Sequence, residues 1–270
     1  MCDREQEGSD GREQACLLCR RSEADPDTCG DKQEKYGLYA HIFCLYFATL
    51  LFRQAKKCVG LLGFLLPDIQ LAVRRAAWKH CCVCGQSGAT ILCCKEGCNR
   101  WFHLPCAKEG GCVTQYIAPY RSFCPGHRPV QMVQVTPEPG TECPICMEPV
   151  EDRMTFNTIV CPTCKRAWFH RDCLQGQAMR AGLLYFSCPL CRDSEEFLVE
   201  MFRMGIRTPI RLVSFCGAHK AGGCKCRAVP GPAPAVQALP HPGSLDLRFS
   251  GDLEKHWRKS RVTLLPPCGQ

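Results

Sequence analysis

Cysteine and histidine recur in this sequence as pairs with two residues between them, the interval at which a tight turn or one turn of helix presents two side chains to a single ion. The first block is Cys16-x-x-Cys19, followed after a loop of 21 residues by His41-x-x-Cys44. Three thiolates and one imidazole make a tetrahedral site. His41 and Cys44 read as one face of a helix over residues 40–48, with Cys29 an alternative ligand. The second block holds Cys81-x-x-Cys84, Cys93 with Cys98, His103-x-x-Cys106 and Cys124-x-x-His127, four pairs within 47 residues. Eight ligands require two ions. A compact solution is a cross-brace, in which pairs one and three share an ion and pairs two and four share another. That assigns Cys81, Cys84, His103 and Cys106 to one site and Cys93, Cys98, Cys124 and His127 to its neighbour. Cys82 and Cys94 compete for two of these roles, while Cys81 and Cys93 preserve better loop geometry. The third block repeats the plan: Cys143, Cys146, His170 and Cys173 on one ion, with Cys161, Cys164, Cys188 and Cys191 on the other.

The metal this donor set selects is zinc, five ions for 16 cysteines and four histidines. The chain has 270 residues and 26 cysteines, and its polar, acidic start does not read as a signal peptide, so a disulfide scaffold is not the expected use of the thiols. The apolar run Leu38–Phe52 contains His41 and falls short of the roughly 18–20 residues of a bilayer span, so no membrane partner is expected. The formal net charge of +8 counts every cysteine as neutral; thiolate ligation at five sites lowers it to about +2. Nucleic acid is thereby reduced to a secondary partner class, resting only on Arg53–Lys57 and on Arg74 and Arg75, which read chiefly as solvated faces.

These ligands need few supporting elements. Leu66-Pro67-Asp68 reads as a helix start, and Ile69, Ala72, Val73, Ala76 and Ala77 recur at helical intervals up to Trp78, joining the first block to the second. Residues 171–180 read as a helix stopped by Gly182, followed by a strand or packed turn over 183–186. The stretch around Trp101-Phe102-His103 is echoed by Trp168-Phe169-His170, so both modules are expected to share a local architecture, with the aromatics filling the space between sites. The organisation expected is a disordered N-terminus (1–13), a zinc module (14–128), a linker (129–141), a second zinc finger (142–195), a short extension (196–207) and a largely disordered tail (208–270). In that tail Cys216, Cys224, Cys226 and His219 lack paired spacing. The fold class is thus small zinc-stabilised α+β modules, in which metal binding and folding are one event.

The ligand order, together with Gly63-Phe64-Leu65-Leu66-Pro67-Asp68-Ile69, Phe102-His103-Leu104-Pro105-Cys106, Ser122–Pro129 and Met201–Ile206, resembles the family of PHD finger protein seven and the G2/M-phase-specific ubiquitin ligase. In that family an extended PHD module (a zinc knuckle plus a cross-braced PHD finger) precedes a RING-like or PHD-like finger. The likeness covers residues 14–207 or so. It implies a nuclear RING-type ubiquitin ligase acting on histones or chromatin-associated proteins, with a ubiquitin-conjugating enzyme and ubiquitin as partners. Its alternative is a non-enzymatic chromatin reader. In the ligase reading, Ile145 and Pro189 would contact the conjugating enzyme and Arg192, directly after the last ligand, would bridge it to ubiquitin. In the reader, Trp101 and Phe102 would wall a methylated lysine. No catalytic residue forms a covalent bond to substrate in either.

Overall fold

A computed structural model describes residues 14–210 apart from Lys57 and divides the chain into two units that meet at Val130–Gln131. Regular structure is sparse, because paired turns around each cysteine cluster occupy much of the backbone. The tail cysteines and His219 lie outside the described residues. Among the described residues no helix is long and apolar enough to cross a membrane.

The first unit begins with a short helix α1 (Pro26–Cys29) and a hairpin of β1 (Lys32–Lys35) and β2 (Leu38–His41), which pairs Lys32 with His41 and Lys35 with Leu38. Helix α2 (Ile42–Phe47) follows directly, and α3 (Leu66–Ala76) lies further on, with Pro67 in its first turn. Ile69, Ala72 and Ala76 are the buried stripe of α3. The helix stops at Ala76, two residues before the sequence reading ends it, and Trp78 is 86% exposed. Two minimal antiparallel hairpins complete the unit: β3 (Ile91–Leu92) with β4 (Trp101–Phe102), and β5 (Val113–Thr114) with β6 (Ser122–Phe123).

One core runs through this unit, from Cys16 and Leu18 through Phe43, Leu45, Phe64 and Ile69 to Ile91, Phe102 and Leu104. Aromatic rings join its halves. Tyr116 meets Phe43 edge-on at 4.9 Å between ring centroids and donates its hydroxyl to the Thr28 carbonyl at 2.9 Å. Tyr46 packs on Tyr120 at 4.7 Å and on Phe64 at 5.4 Å. Thr49 adds a polar tie: its N–H donates to the Thr90 carbonyl and its hydroxyl accepts from the Leu92 N–H. Such contacts, individually worth about 1 kcal/mol, make the knuckle and the finger one body.

The second unit is built on β7 (Thr158–Val160) and β8 (Trp168–His170), paired so that Ile159 faces Phe169, followed by α4 (Arg171–Ala181) and α5 (Glu195–Arg203). Gly182, at φ 67°, stops α4 and returns its N–H to the Ala178 carbonyl. Residues 183–185 form a turn and not a strand. Phe169, Phe186 and Phe197 stack edge-on in the centre, with Phe197 6.1 Å from Phe169 and 5.2 Å from Phe186.

Two boundaries differ from the sequence reading. The end of the finger at 195 falls at the start of α5, and Phe197, Leu198, Met201, Met204 and Ile206 are buried in the same core as Ile159 and Leu174. The stretch read as an extension is therefore part of the module, because its apolar face has no other surface to cover. The segment 129–141 is extended but not free along its length. Gln131 is 8% exposed; its amide N–H donates to the Val160 carbonyl at 2.9 Å and to Glu200 at 3.0 Å, while its oxygen accepts from the Val160 N–H at 2.8 Å. A side chain thus continues the ladder at the edge of β7, satisfying a buried backbone pair.

Phe197→Ala should destabilise the second unit by about 3–5 kcal/mol and leave the first unit intact. Hydrogen exchange of the zinc-loaded chain, read separately over residues 158–170 and 91–102, checks this; equal protection of 158–170 in both proteins contradicts the assignment of α5 to the core.

Candidate metal centres

Each Cys-x-x-Cys pair is a knuckle with its own backbone logic. In four of the five the first cysteine donates its N–H to a carbonyl five residues on (Cys16 to Arg21, Cys81 to Gln86, Cys143 to Glu148, Cys188 to Asp193), at 2.8–2.9 Å, and Cys161 donates to Ala167, six on. In all five its carbonyl accepts from the residue four on, at 2.7–3.0 Å. Closing so tight a loop forces the residue after the second cysteine into the left-handed region: Arg20 (φ 60°), Gly85 (75°), Met147 (62°), Lys165 (57°) and Arg192 (61°). Only one of the five is glycine, so the others carry a backbone cost of about 1 kcal/mol that ligation must offset.

Three of the four histidine ligands, all but His127, follow a second rule. His41 ends β2 and caps α2, His103 follows β4 and caps the 3-10 turn Leu104–Cys106, and His170 ends β8 and caps α4. All three have extended dihedrals, with φ between −70° and −85° and ψ between 138° and 145°. The partner cysteine sits three residues later in the first turn. His41 is thus at a strand–helix junction and not within the helix, a correction to the sequence reading. Its side chain makes no capping bond, and the ring is left for the cluster.

The five groups that form are Cys16, Cys19, His41 and Cys44; Cys81, Cys84, His103 and Cys106; Cys93, Cys98, Cys124 and His127; Cys143, Cys146, His170 and Cys173; and Cys161, Cys164, Cys188 and Cys191. In each, the ligand atoms lie within 4.8 Å of one another. These are the sets reached from spacing, and both fingers are cross-braced. Cys29, though fully buried, is outside the first set. Cys82 and Cys94 are also outside: their N–H groups donate to the Trp101 and Ser122 carbonyls, and backbone alternation turns their side chains away from those of Cys81 and Cys93.

The separations test which ion fits. With zinc–sulfur bonds of about 2.3 Å, a tetrahedron has an edge of about 3.8 Å. The Sγ–Sγ distance is 3.7 Å for Cys161–Cys191 and 4.0 Å for Cys98–Cys124. Sulfur to Nδ1 runs from 3.3 Å at Cys146–His170 to 4.0 Å at Cys106–His103. Disulfides, at about 2.05 Å, are excluded, and every cysteine among the described residues is free.

Electrostatics make the same demand. Burial pushes the Cys143 thiol up, but backbone N–H groups of Cys146, His170 and Ile145 outweigh it and bring Cys143 down to about 7. Its neighbour Cys173 is pushed up to about 12 by burial and then by Cys146 and Cys143. Thiols this close cannot all be deprotonated without a cation, and a divalent ion removes the conflict. Two arginines temper the resulting negative charge: Arg21 donates to Cys106 Sγ at 3.4 Å and Arg100 to Cys124 Sγ at 3.9 Å. No spacing rule announces these arginines, and the same holds for Arg171, whose buried guanidinium donates to the Phe156 and Met204 carbonyls. With four protein ligands per group, every position is closed, which suits architecture and leaves none for an attacking water.

The remaining site residues divide. Phe102 is fully buried opposite Ile91, and Trp101 lies under Lys79 Nζ at 5.2 Å from its ring centroid; Phe169 and Trp168 are likewise buried. Those aromatics pack between clusters and form no open cage. Ile145 is half-buried against the second core, whereas Pro189, Leu190 and Arg192 are exposed on the last knuckle.

Native mass spectrometry of the full chain should count five zinc ions, four in Cys93→Ser, and five in Cys82→Ser and Cys94→Ser. A lost ion in either of the last two would reverse the choice between adjacent cysteines.

Comparison with known proteins agrees with this plan. A family model described as a PHD-like zinc-binding domain matches residues 41–128, and a Ring finger domain model matches residues 141–192. The G2/M phase-specific E3 ubiquitin-protein ligase of Homo sapiens is 39% identical over 208 residues, 76% of this chain and 30% of that protein. The Pineapple eye protein of Drosophila melanogaster is 32% identical over 203 residues, 73% of this chain and 33% of that protein. The histone-lysine N-methyltransferase trithorax of Drosophila virilis is 29% identical over 119 residues, 42% of this chain and 3% of that protein. The chain spans about a third of the length of the first two relatives. It carries a PHD-like zinc-binding domain followed by a Ring finger domain, and over three-quarters of its length it is homologous to the G2/M phase-specific E3 ubiquitin-protein ligase.

Proposed function

We propose that the chain is a zinc-dependent, RING-type ubiquitin ligase, with its five clusters each holding one structural zinc ion. The observation that carries this reading is Arg192. Its N–H donates to the Cys188 carbonyl at 2.8 Å and its φ of 61° fixes the backbone, so the guanidinium projects from the rim of the last knuckle beside exposed Pro189 and Leu190. A cation held in this way costs backbone strain and makes no contact needed for the fold. It is suited to a partner surface.

The reaction needs no bond to this chain. A substrate lysine amine attacks the thioester carbonyl joining ubiquitin to its conjugating enzyme; the carbon–sulfur bond breaks, an isopeptide bond forms, and the enzyme's thiol is released. The ligase contributes orientation. Arg192 offers several N–H donors to hold ubiquitin against its carrier, and Ile145, half-exposed between the ligands Cys143 and Cys146, offers an apolar contact to the conjugating enzyme. The zinc ions supply rigid knuckles and nothing else.

The PHD-like module is the substrate-selecting part in this reading, and histones or chromatin-associated proteins in the nucleus are its targets. Support comes from the likeness of 119 residues of this chain to part of a protein named as a histone-lysine methyltransferase. With Phe102 buried and Trp101 covered by Lys79, recognition there does not run through a methyl-lysine cage at those two residues.

The left-handed backbone at Arg192 supplies a clean test, since glycine removes the guanidinium and relaxes the turn. With the full zinc-loaded chain and a panel of conjugating enzymes, Arg192→Gly and Ile145→Ala should each lower ubiquitin transfer by about tenfold or more. Lys165→Gly, at the equivalent position of the partner knuckle, should transfer normally. Undiminished transfer by Arg192→Gly at full zinc content, or no transfer by the parent protein with any enzyme, removes the proposal.

A further inference from the structure

Between the first two clusters of the first unit lies a cleft of about 350 Å³. Its walls are Arg20, Arg21, Gln86, Ser87 and His103 together with the ligand cysteines Cys19 and Cys84, with no carboxylate among them. Arg20 reaches it from the left-handed position of the first knuckle and lies so close to Gly88 that a Cβ there would come within 2.7 Å of its guanidinium Nε and Cζ. Gly88 itself has φ 93°, so glycine both permits the turn and leaves room for the arginine. Arg21 is anchored by its bond to Cys106 Sγ, which leaves its other N–H groups available.

His103 gives the cleft its direction. The ring is 5% exposed, and Nδ1 faces the sulfurs of Cys84 and Cys106 at 3.5 and 4.0 Å, which makes Nδ1 the ligand atom. A neutral imidazole that ligates through Nδ1 carries its proton on Nε2, a hydrogen-bond donor. In the Ring finger domain the equivalent atom, His170 Nε2, is satisfied by the Pro149 carbonyl at 3.0 Å. His103 Nε2 is buried and makes no hydrogen bond of good geometry, while the Ser87 and Gly88 backbone lies close enough to act on the ring. A buried donor paired this poorly gains from a well-placed acceptor entering the cleft.

We propose that this cleft receives a phosphorylated side chain of a partner protein. Two guanidinium groups, an imidazole N–H, the Ser87 hydroxyl and the Gln86 amide outnumber what the two oxygens of a carboxylate can accept and match the three free oxygens of a phosphate monoester. The pocket is concave and local, with two arginines, whereas a nucleic-acid backbone asks for a row of cations along an open groove. The site lies in the first unit, between the first knuckle and the PHD-like domain, and does not depend on the ligase reading.

The full zinc-loaded chain, selectively labelled with ¹⁵N-histidine and ¹⁵N-arginine, is titrated with N-acetyl-O-phosphoserine methylamide, N-acetylglutamate methylamide, inorganic phosphate and a short DNA duplex. Expected is saturable movement of the His103 Nε2 and Arg20 Nε signals with the phosphoserine compound, and about tenfold weaker binding in Arg20→Gln. Arg75→Gln, elsewhere on the surface, should bind as the parent does, and all proteins should retain five zinc ions. Because Gln and Arg meet the same backbone demand at residue 20, zinc retention separates a lost contact from a lost fold. Equal affinity for the glutamate compound, binding of inorganic phosphate or duplex alone, or an unchanged affinity in Arg20→Gln would each overturn the proposal.

Discussion

The constraint on which the molecule depends is the mutual repulsion of clustered donor atoms. Four sulfur or nitrogen lone pairs within 4.8 Å, several of them at the buried centre of a module, are tolerable only around a cation. Ligation to a structural zinc ion is worth about 10–16 kcal/mol in small peptides, comparable to the whole stability of an ordinary domain. That margin lets the chain hold non-glycine residues in left-handed turns at four of its five knuckles and build three of the four described sheets from strands of only two or three residues. The apolar cores do not substitute for the ions. They fix how one cluster faces the next.

The same strand–histidine–helix junction recurs three times with nearly the same dihedrals, at His41, His103 and His170. A β-region residue at a helix N-cap turns the chain sharply and points its side chain back across the first turn. Placing the imidazole there, with a cysteine three residues on, lets one short segment supply half of a tetrahedron. What differs is how the second nitrogen is used. His170 spends it on a backbone carbonyl, which fixes the ring. His103 Nε2 makes no bond of comparable geometry, and the cleft beside it holds two arginines.

Closed coordination also separates architecture from chemistry. Because each cluster has four protein ligands, a cluster can act on another protein only through the residues on its knuckle rim. The exposed ones, Pro189, Leu190 and Arg192 on one finger and Arg20 and Gln86 on the other, share a feature: each lies within a few residues of a ligand, where the backbone is most rigid. Rigid loops are good places from which to orient a partner, since little side-chain and backbone freedom remains to be lost on binding.

Much of this was legible in the residues alone. Most ligand pairs and their cross-braced order are readable from spacing, because two residues between ligands is a short-range geometric requirement, while Cys29, Cys82 and Cys94 stay open as alternatives. Helices α3 and α4 were readable from period and from Gly182 for the same local reason. The tertiary structure decided what spacing leaves open. It turned Cys82 and Cys94 away through backbone pairing with Trp101 and Ser122, left Cys29 buried but unused, and drew Gln131 and α5 into the second core. It also brought Arg20 and Arg21 beside His103, more than 80 residues along the chain. Local ligand geometry is written in neighbouring residues, whereas burial and the meeting of remote charges depend on how the modules pack, and no periodicity records that.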